Sequence, residues 1–341
     1  MAGRKSSAKP SVQVSGEGRI IDTYFAPLTV DNPGAYGLRD DCATLQPPPG
    51  TDLVVKTDPV REGIHFPPDA DAADIAWKAL AVNVSDLAAK GAAPLAYLLA
   101  ISFPEAPKPA WLKRFASGLA AAQTAFGIVL VGGDTDRAPG PLSIAVTVFG
   151  TVPSGGMIRR ATAEPGDAIW VTGTLGDAAL GLDLLREPIT ALRLGLFSNH
   201  CDSAIARYDR PAPRLAARDL LHAHASAAMD LSDGLMKDAG RMASAAGVGM
   251  TLHRDRLPLS PAMQRATARD PRYWMKAAAH GDDYEILFTA PAAKSAAIRK
   301  MAKDLPFPVT EIGAVRTEPG VTLLDPDGQP LEIDRSGWDH F

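Results

Sequence analysis

Two domains of the α/β (α+β) class are predicted, on three observations. The chain has 341 residues, and at roughly 150 residues per domain that length makes about two. Short apolar segments alternate with helix-patterned ones in both halves, which indicates mixed strands and helices, not a bundle or a sandwich. Between the halves stands Pro153-Ser154-Gly155-Gly156, a run of chain breakers. A mobile tail is therefore placed at residues 1–15, a first domain at 16–155 and a second at 156–341.

The elements follow in order. Ile20, Ile21, Tyr24, Phe25 and Leu28 repeat at helical spacing and predict a first helix. Leu53-Val54-Val55 predicts a short strand ending in Lys56-Thr57-Asp58, and Asp71 to Asp74 opens an Ala-rich helix that runs to Lys90 and stops at Gly91. Leu95 to Ser102 reads as a second strand. Pro109 begins an amphipathic helix, with Trp111, Leu112, Phe115, Leu119 and Phe126 on one face and Gly127 closing it. Ile128 to Val131 is a third strand before Gly132-Gly133-Asp134, and Leu142 to Thr151 a fourth. The second half continues with strands at Ala168 to Thr172, Ala227 to Met229, Gly249 to His253, Tyr284 to Phe288 and Thr310 to Val315. A helix follows the Gly173/Gly176 turn, another follows Asp230-Leu231-Ser232-Asp233-Gly234, and a third spans Ala292 to Asp304.

Composition narrows the function. A net charge of −4 advertises no surface for a polyanion, so general nucleic-acid binding is not expected. Cys42 and Cys201 show no CxxC or Cys/His spacing, which argues against zinc and against a disulfide framework, and fits a reducing cytoplasm. The N-terminal segment has basic residues but no apolar stretch of a secretory signal. Ala92 to Phe103 is too short for the about 20 residues that a membrane span needs.

The aspartates carry the chemistry. Asp40-Asp41, Asp58, Asp86, Asp134 with Asp136, Asp230 with Asp233, and Asp282-Asp283 fall mostly at the ends of apolar segments, beside Gly, Ser or Thr. Singly, each reads as a turn former or helix cap. Converging on one cleft they would repel one another unless a hard cation sat among them, and oxygen donors select Mg²⁺ or Ca²⁺ over zinc. An Mg²⁺ site of that kind implies a phosphate-bearing ligand. Gly132-Gly133-Asp134 is either a tight turn or bare backbone for phosphate approach. Gly173-Thr174-Leu175-Gly176 before a helix is a second candidate anion site. Arg159-Arg160 offers a guanidinium fork for phosphate or is simply solvated. His65, Ser232 and Trp338 each have a structural reading beside a ligand-binding one. Walker A, GxGxxG, GxSxG, HExxH and the full kinase signature HRDLxxxN are all absent.

Taken together, Leu38-Arg39-Asp40-Asp41-Cys42-Ala43, Lys56-Thr57-Asp58 with Gly63-Ile64-His65-Phe66, the Ala79 to Gly91 helix, Gly132-Gly133-Asp134-Thr135, Asp230-Leu231-Ser232-Asp233-Gly234-Leu235 and Gly281-Asp282-Asp283-Tyr284-Glu285 resemble the thiamine-monophosphate kinase family. The resemblance extends from about Gly16 to Phe341. The aspartates and the Gly-Gly-Asp-Thr stretch are shared with a wider superfamily that includes aminoimidazole-ribonucleotide synthetase. It implies a two-domain aminoimidazole-ribonucleotide synthetase-like fold, with the strand-rich N-terminal domain pairing into a barrel in a homodimer and a C-terminal α/β domain completing the site. It implies ATP as co-substrate, several Mg²⁺ ions, and transfer of the γ-phosphoryl group to thiamine phosphate. By matching motif positions, Asp41, Thr57, Asp58, Asp86, Asp134, Asp230 and Asp233 are the implied metal ligands. Gly133, Asp134, Arg160 and Ser232 are the implied ATP contacts, and His65, Asp282 and Trp338 the implied thiamine-phosphate contacts. The chain departs from the family pattern in three places: Lys56 replaces a small hydroxyl residue, Asp282 replaces a glutamate, and Leu38-Arg39 stands where Ile-Gly is frequent.

The implied reaction needs no strong general base, because the attacking phosphate oxygen is already an anion, and no activated Ser, Cys or His arrangement is evident. Two rival classes remain open on the sequence. One is a superfamily relative that activates another acceptor with ATP, and the other a non-catalytic thiamine-phosphate- or metal-binding protein.

Overall fold

A computed structural model describes residues 16–30, 32–333 and 337. The first unit is a four-stranded sheet in the order β1-β4-β2-β3, built from β1 (Thr51–Arg61), β2 (Ala93–Phe103), β3 (Val129–Arg137) and β4 (Ser143–Pro153). The β1–β4 and β4–β2 pairs are antiparallel and β2–β3 is parallel. The leading segment is α1 (Gly16–Ile20), continued by a π-helical turn at Ile21–Phe25 and a 3₁₀ turn at Ala26–Thr29. The expected single helix is therefore broken, and Pro27, lacking an N–H to donate, falls where the coil changes pitch.

Two long helices, α2 (Ala72–Ala89) and α3 (Pro109–Phe126), cover one face of this sheet. Asp71 caps α2, accepting a hydrogen bond from the Ala73 N–H at 2.9 Å. Ala76, Ala79, Leu80, Ala81, Val84 and Leu87 are all fully buried, as a helix apolar on every side must be. α2 is covered by the sheet, by α3 and by the second unit. At the α2–α3 crossing a Cβ on Gly118 would fall 2.4 Å from the Ala73 carbonyl oxygen, so only glycine permits that approach. Along β1 the residues alternate, with Val54 and Val60 buried towards the helices and Leu53 and Val55 exposed on the opposite face.

The Gly132-Gly133-Asp134 stretch lies inside β3, paired with β2 across an irregular register near Tyr97/Leu98. Its tight-turn reading gives way to a strand. Gly133 has φ +154°, and a Cβ there would meet the Leu99 carbonyl oxygen at 1.8 Å. The close approach of the two backbones is what glycine supplies here.

The second unit has a six-stranded sheet in the order β10-β7-β9-β5-β8-β6. Its strands are β5 (Asp167–Thr172), β6 (Ala227–Asp230), β7 (Gly249–His253), β8 (Ile286–Pro291), β9 (Val309–Arg316) and β10 (Gly320–Leu324). All pairs are antiparallel except β10–β7. Around it pack α4 (Asp177–Arg186), α5 (Ile189–Leu194), α6 (Ser198–Asp209), α7 (Arg218–His224), α8 (Leu235–Ala246), α9 (Pro261–Arg269), α10 (Trp274–Ala279) and α11 (Ser295–Met301). The helix expected over Ala292 to Asp304 is α11 flanked by two 3₁₀ turns. β8 begins at Ile286, after a bend in which Asp282 and Tyr284 take φ +69° and +49°.

The units are tied through α2 and its C-cap and through the loop after β1. Trp77 Nε1 donates to the Pro211 carbonyl at 2.9 Å, Lys90 Nζ to the Ala228 carbonyl at 2.6 Å, and Tyr208 Oη to the His65 carbonyl at 3.1 Å. Among the described residues no helix is long and apolar enough to cross a membrane.

Candidate active site

A cleft of about 1090 Å³ opens between the units. One wall comes from β1 and α2, the other from α4, the end of β6, the segment before β8 and the loop at Met157 to Ala161. On β1 the two-residue period puts Lys56 and Asp58 on the side facing α2. Asn83 of α2, fully buried, pins that strand: its Oδ1 accepts from the Asp58 N–H at 2.7 Å and its Nδ2 donates to the Asp58 carbonyl at 3.3 Å. One helical turn on, Asp86 faces the same space. Lys56 Nζ lies 2.9 Å from Asp58 Oδ2 and 3.0 Å from Asp86 Oδ2.

Opposite stands the end of β6. Asp230 is buried, and burial reinforced by the Asp86 charge pushes its carboxyl well above the usual carboxylate range. Burial also raises Asp86, against the pull of Lys56. Burial pulls the Lys56 ammonium down, yet Asp86 and Asp58 outweigh it and its proton is held above the ordinary lysine range. Lys90 lines the same wall and is lowered by burial against the attraction of Asp230 and Asp86. The loop after β6 is ordered by Asp238 on α8, whose Oδ2 accepts from the N–H groups of Ser232 at 3.1 Å and Asp233 at 2.9 Å. Burial pushes the Asp238 carboxyl up to about 6. Nothing in the sequence distinguished Asp238 from an ordinary polar helix residue.

Of the residues expected at the site, this cleft gathers Asp58, Asp86, Asp230, Asp233, Arg160, Ser232, His65 and Asp282. His65 Nδ1 accepts from the Arg61 N–H at 2.9 Å, which sets Nε2 as the protonated nitrogen of the neutral ring. Asp282 accepts from Tyr284 Oη at 3.2 Å and lies 3.6 Å from the buried ammonium of Lys78. Gly337 lines the cleft, while Trp338 lies outside the described residues.

Asp41, Gly133 and Asp134 line a second cleft, of about 780 Å³, that opens on the face of the first sheet opposite α2 and α3. Thr57 turns towards that face as well. Its hydroxyl donates to the Val146 carbonyl at 3.2 Å and accepts from Thr147 at 3.0 Å. The candidate anion turn at Gly173 to Gly176 is filled from within, because both carboxylate oxygens of Asp283 accept from the Gly176 N–H, at 2.9 and 3.0 Å. The carboxylate that this turn binds is the chain's own.

Among the described residues no three acidic, His or Cys side chains form a closed metal cage. The donor set nevertheless suits Mg²⁺. That ion is usually held by one or two carboxylates, with water and substrate phosphates completing its octahedron. Asp58 and Asp86 already converge on one cation, and the buried Asp230 faces the same charge deficit.

Two family models match the chain: AIR synthase related protein, N-terminal domain, over residues 39–152, and AIR synthase related protein, C-terminal domain, over residues 164–325. Thiamine-monophosphate kinase of Salmonella typhimurium is 41% identical over 333 residues, spanning 96% of this chain and 98% of that protein. The crystal structure of thiamine-monophosphate kinase from Stenotrophomonas maltophilia superposes with a TM-score of 0.78 at 42% identity, covering 86% of this chain and 90% of that one. A structure of AaThiL complexed with AMPPCP and TMP superposes with a TM-score of 0.75 at 30% identity, covering 88% and 90% of the two chains.

Proposed function

The chain belongs to the thiamine-monophosphate kinase family, within the AIR synthase related proteins, and from that premise we infer that it phosphorylates thiamine phosphate with ATP, yielding thiamine diphosphate and ADP. The observation that carries this reading is the interdomain cleft. It collects carboxylates, basic side chains and imidazoles from both units, in a chain 41% identical to a thiamine-monophosphate kinase over 96% of its length.

In the proposed mechanism a terminal phosphate oxygen of thiamine phosphate attacks the γ-phosphorus of ATP in line. One P–O bond forms as the bond to the β-phosphate oxygen breaks, and ADP carries away the electron pair. The residues' task is to bring two polyanions together. Arg160 and the hydroxyl of Ser232 would hold phosphate oxygens. His65 and Asp282, with Trp338, would hold thiamine phosphate. Asp58, Asp86, Asp230 and Asp233 would hold Mg²⁺, which when bound neutralises phosphate charge.

Asp41, Thr57, Gly133 and Asp134 are proposed to join this machinery through a homodimer. The face of the first sheet opposite α2 and α3 supports that reading: Leu53 and Val55 on β1 are 40% and 55% exposed, and the second cleft is lined by the half-buried Leu98 and Phe149. A second copy laid on this face would bury that apolar surface. The boundaries proposed for the domains are 16–155 and 156–341, and the compartment proposed is the cytoplasm.

Incubation with MgATP and thiamine phosphate, followed by chromatography, tests the activity. Thiamine diphosphate and ADP are expected in equal amounts. Formation of AMP, or of ADP without thiamine diphosphate, would contradict it.

A further inference from the structure

We propose that the Lys56 ammonium is a built-in cation of the cleft, seated between Asp58 and Asp86, and that this chain therefore binds one divalent cation fewer with its nucleotide than it would with a small neutral side chain at position 56. The inference rests on the reading of Asp58 and Asp86 as metal ligands. It goes beyond that reading by assigning one ligand position to the protein's own side chain.

Geometry is the first support. Lys56 and Asp58 lie on one face of β1 and Asp86 comes from α2, yet Nζ reaches Oδ2 of both carboxylates, at 2.9 and 3.0 Å. It bridges two structural elements, as a shared metal ion would. The Asn83 clamp holds the Asp58 main chain from both sides, so Asp58 is not free to withdraw from this position.

Exclusion is the second. Mg²⁺ bonds oxygen at about 2.0–2.1 Å, so an ion bridging these two Oδ2 atoms would take the space that Nζ fills. A divalent ion and an ammonium about 3 Å apart repel strongly in a cleft of reduced dielectric. The two are alternatives at this point. The third is charge. With Lys56 in place, the Asp58–Asp86 pair carries a net −1 rather than −2, which weakens the demand for a second positive centre there. Asp230 remains for an ion that arrives with the triphosphate, while Asp233 is itself paired with Arg241 at 2.6 Å.

The experiment counts bound Mn²⁺, by the paramagnetic resonance signal of the free ion, in the full-length protein saturated with AMPPCP. Lys56→Ser is expected to bind one Mn²⁺ more per chain than the wild type, and Lys56→Arg the same number as the wild type. Equal, non-zero counts for wild type and Lys56→Ser would overturn the proposal while leaving the metal reading intact. No Mn²⁺ bound beyond that carried by AMPPCP in solution, in any of the three proteins, would overturn both. If Lys56→Ser does not fold, anomalous scattering from wild-type crystals grown with Mn²⁺ and AMPPCP decides instead. Lys56 Nζ still bonded to both carboxylates, with no Mn²⁺ peak between them, supports the proposal. A peak there with Lys56 swung aside overturns it.

Discussion

The Asn83 carboxamide grips the main chain of Asp58 on both sides, accepting from its N–H at 2.7 Å and donating to its carbonyl at 3.3 Å, and so fastens the edge strand β1 to the central helix α2. A third bond, from Nδ2 to the Ala79 carbonyl at 3.0 Å, fixes the rotamer. Replacing Asn83 with Leu strands two main-chain groups of β1, and each buried unsatisfied group costs about 1–3 kcal/mol. Urea unfolding is expected to show a loss within or somewhat above that range. Turnover should fall further than the folded fraction does, because Asp58 loses its placement. An unchanged midpoint with full activity would contradict this role.

Asp86 faces the cleft with a carboxyl that burial has already made costly to ionise. Asp86→Asn removes a charge and keeps the shape, so the thermal midpoint should stay the same or rise. The kcat is expected to drop about 100-fold or more, the scale of losing one electrostatic contact to a transferring phosphoryl group, about 2.7 kcal/mol. Steady-state kinetics at saturating MgATP checks it. Near wild-type kcat would remove Asp86 from the metal-holding set.

Lys78 is 2% exposed, with its ammonium 3.6 Å from Asp282 Oδ2 and 3.5 Å above the centre of the Tyr208 ring. Burial lowers its pKa against the attraction of Asp282. Lys78→Met keeps the volume and leaves Asp282 in contact with water, so folding should be spared or improved. Asp282, no longer steered, is expected to raise the KM for thiamine phosphate roughly tenfold, about 1.4 kcal/mol, with the KM for ATP unmoved. Equal changes in both KM values would point to a general structural defect.

Glu285 is fully buried and accepts from Thr172 Oγ1 at 2.7 Å, from Arg207 at 2.7 Å and from Arg214 Nε at 2.6 Å. Glu285→Gln leaves two guanidinium groups half-partnered, which by analogy with other broken buried ion pairs costs about 3–5 kcal/mol. Calorimetry should register a midpoint lower by about 10 °C. A shift under about 2 °C would show that the arginines find other partners.

The legibility of this architecture in the sequence follows the periodicities. β2, β4, α2 and α3 were readable because their apolar runs are long, and β1 only at the short run Leu53-Val54-Val55 in its N-terminal half. α6 was not, since only Ala204 and Tyr208 of its twelve residues are buried, too few to mark out a period. β10 depends on parallel pairing with β7 from far along the chain, which no local pattern encodes. At the site, the family motifs pointed to Asp58, Asp86 and Asp230, and the two-residue period of a strand separates Thr57 from Lys56 and Asp58. The division of Asp41 and Asp134 from the other carboxylates was invisible, because it depends on which face of the sheet the helices cover. Asn83 did leave a trace, as the one amide in an otherwise apolar stretch of α2.

In the mechanism proposed above, the cleft passes the phosphoryl group directly from one substrate to the other, without parking it on the protein. ATP made stereogenic at the γ-phosphorus with oxygen isotopes, reacted with thiamine phosphate, reports this in the product. A single in-line displacement predicts inverted configuration at the transferred phosphorus of thiamine diphosphate. Retention would require two displacements, and with them a phosphorylated side chain, and would contradict direct transfer.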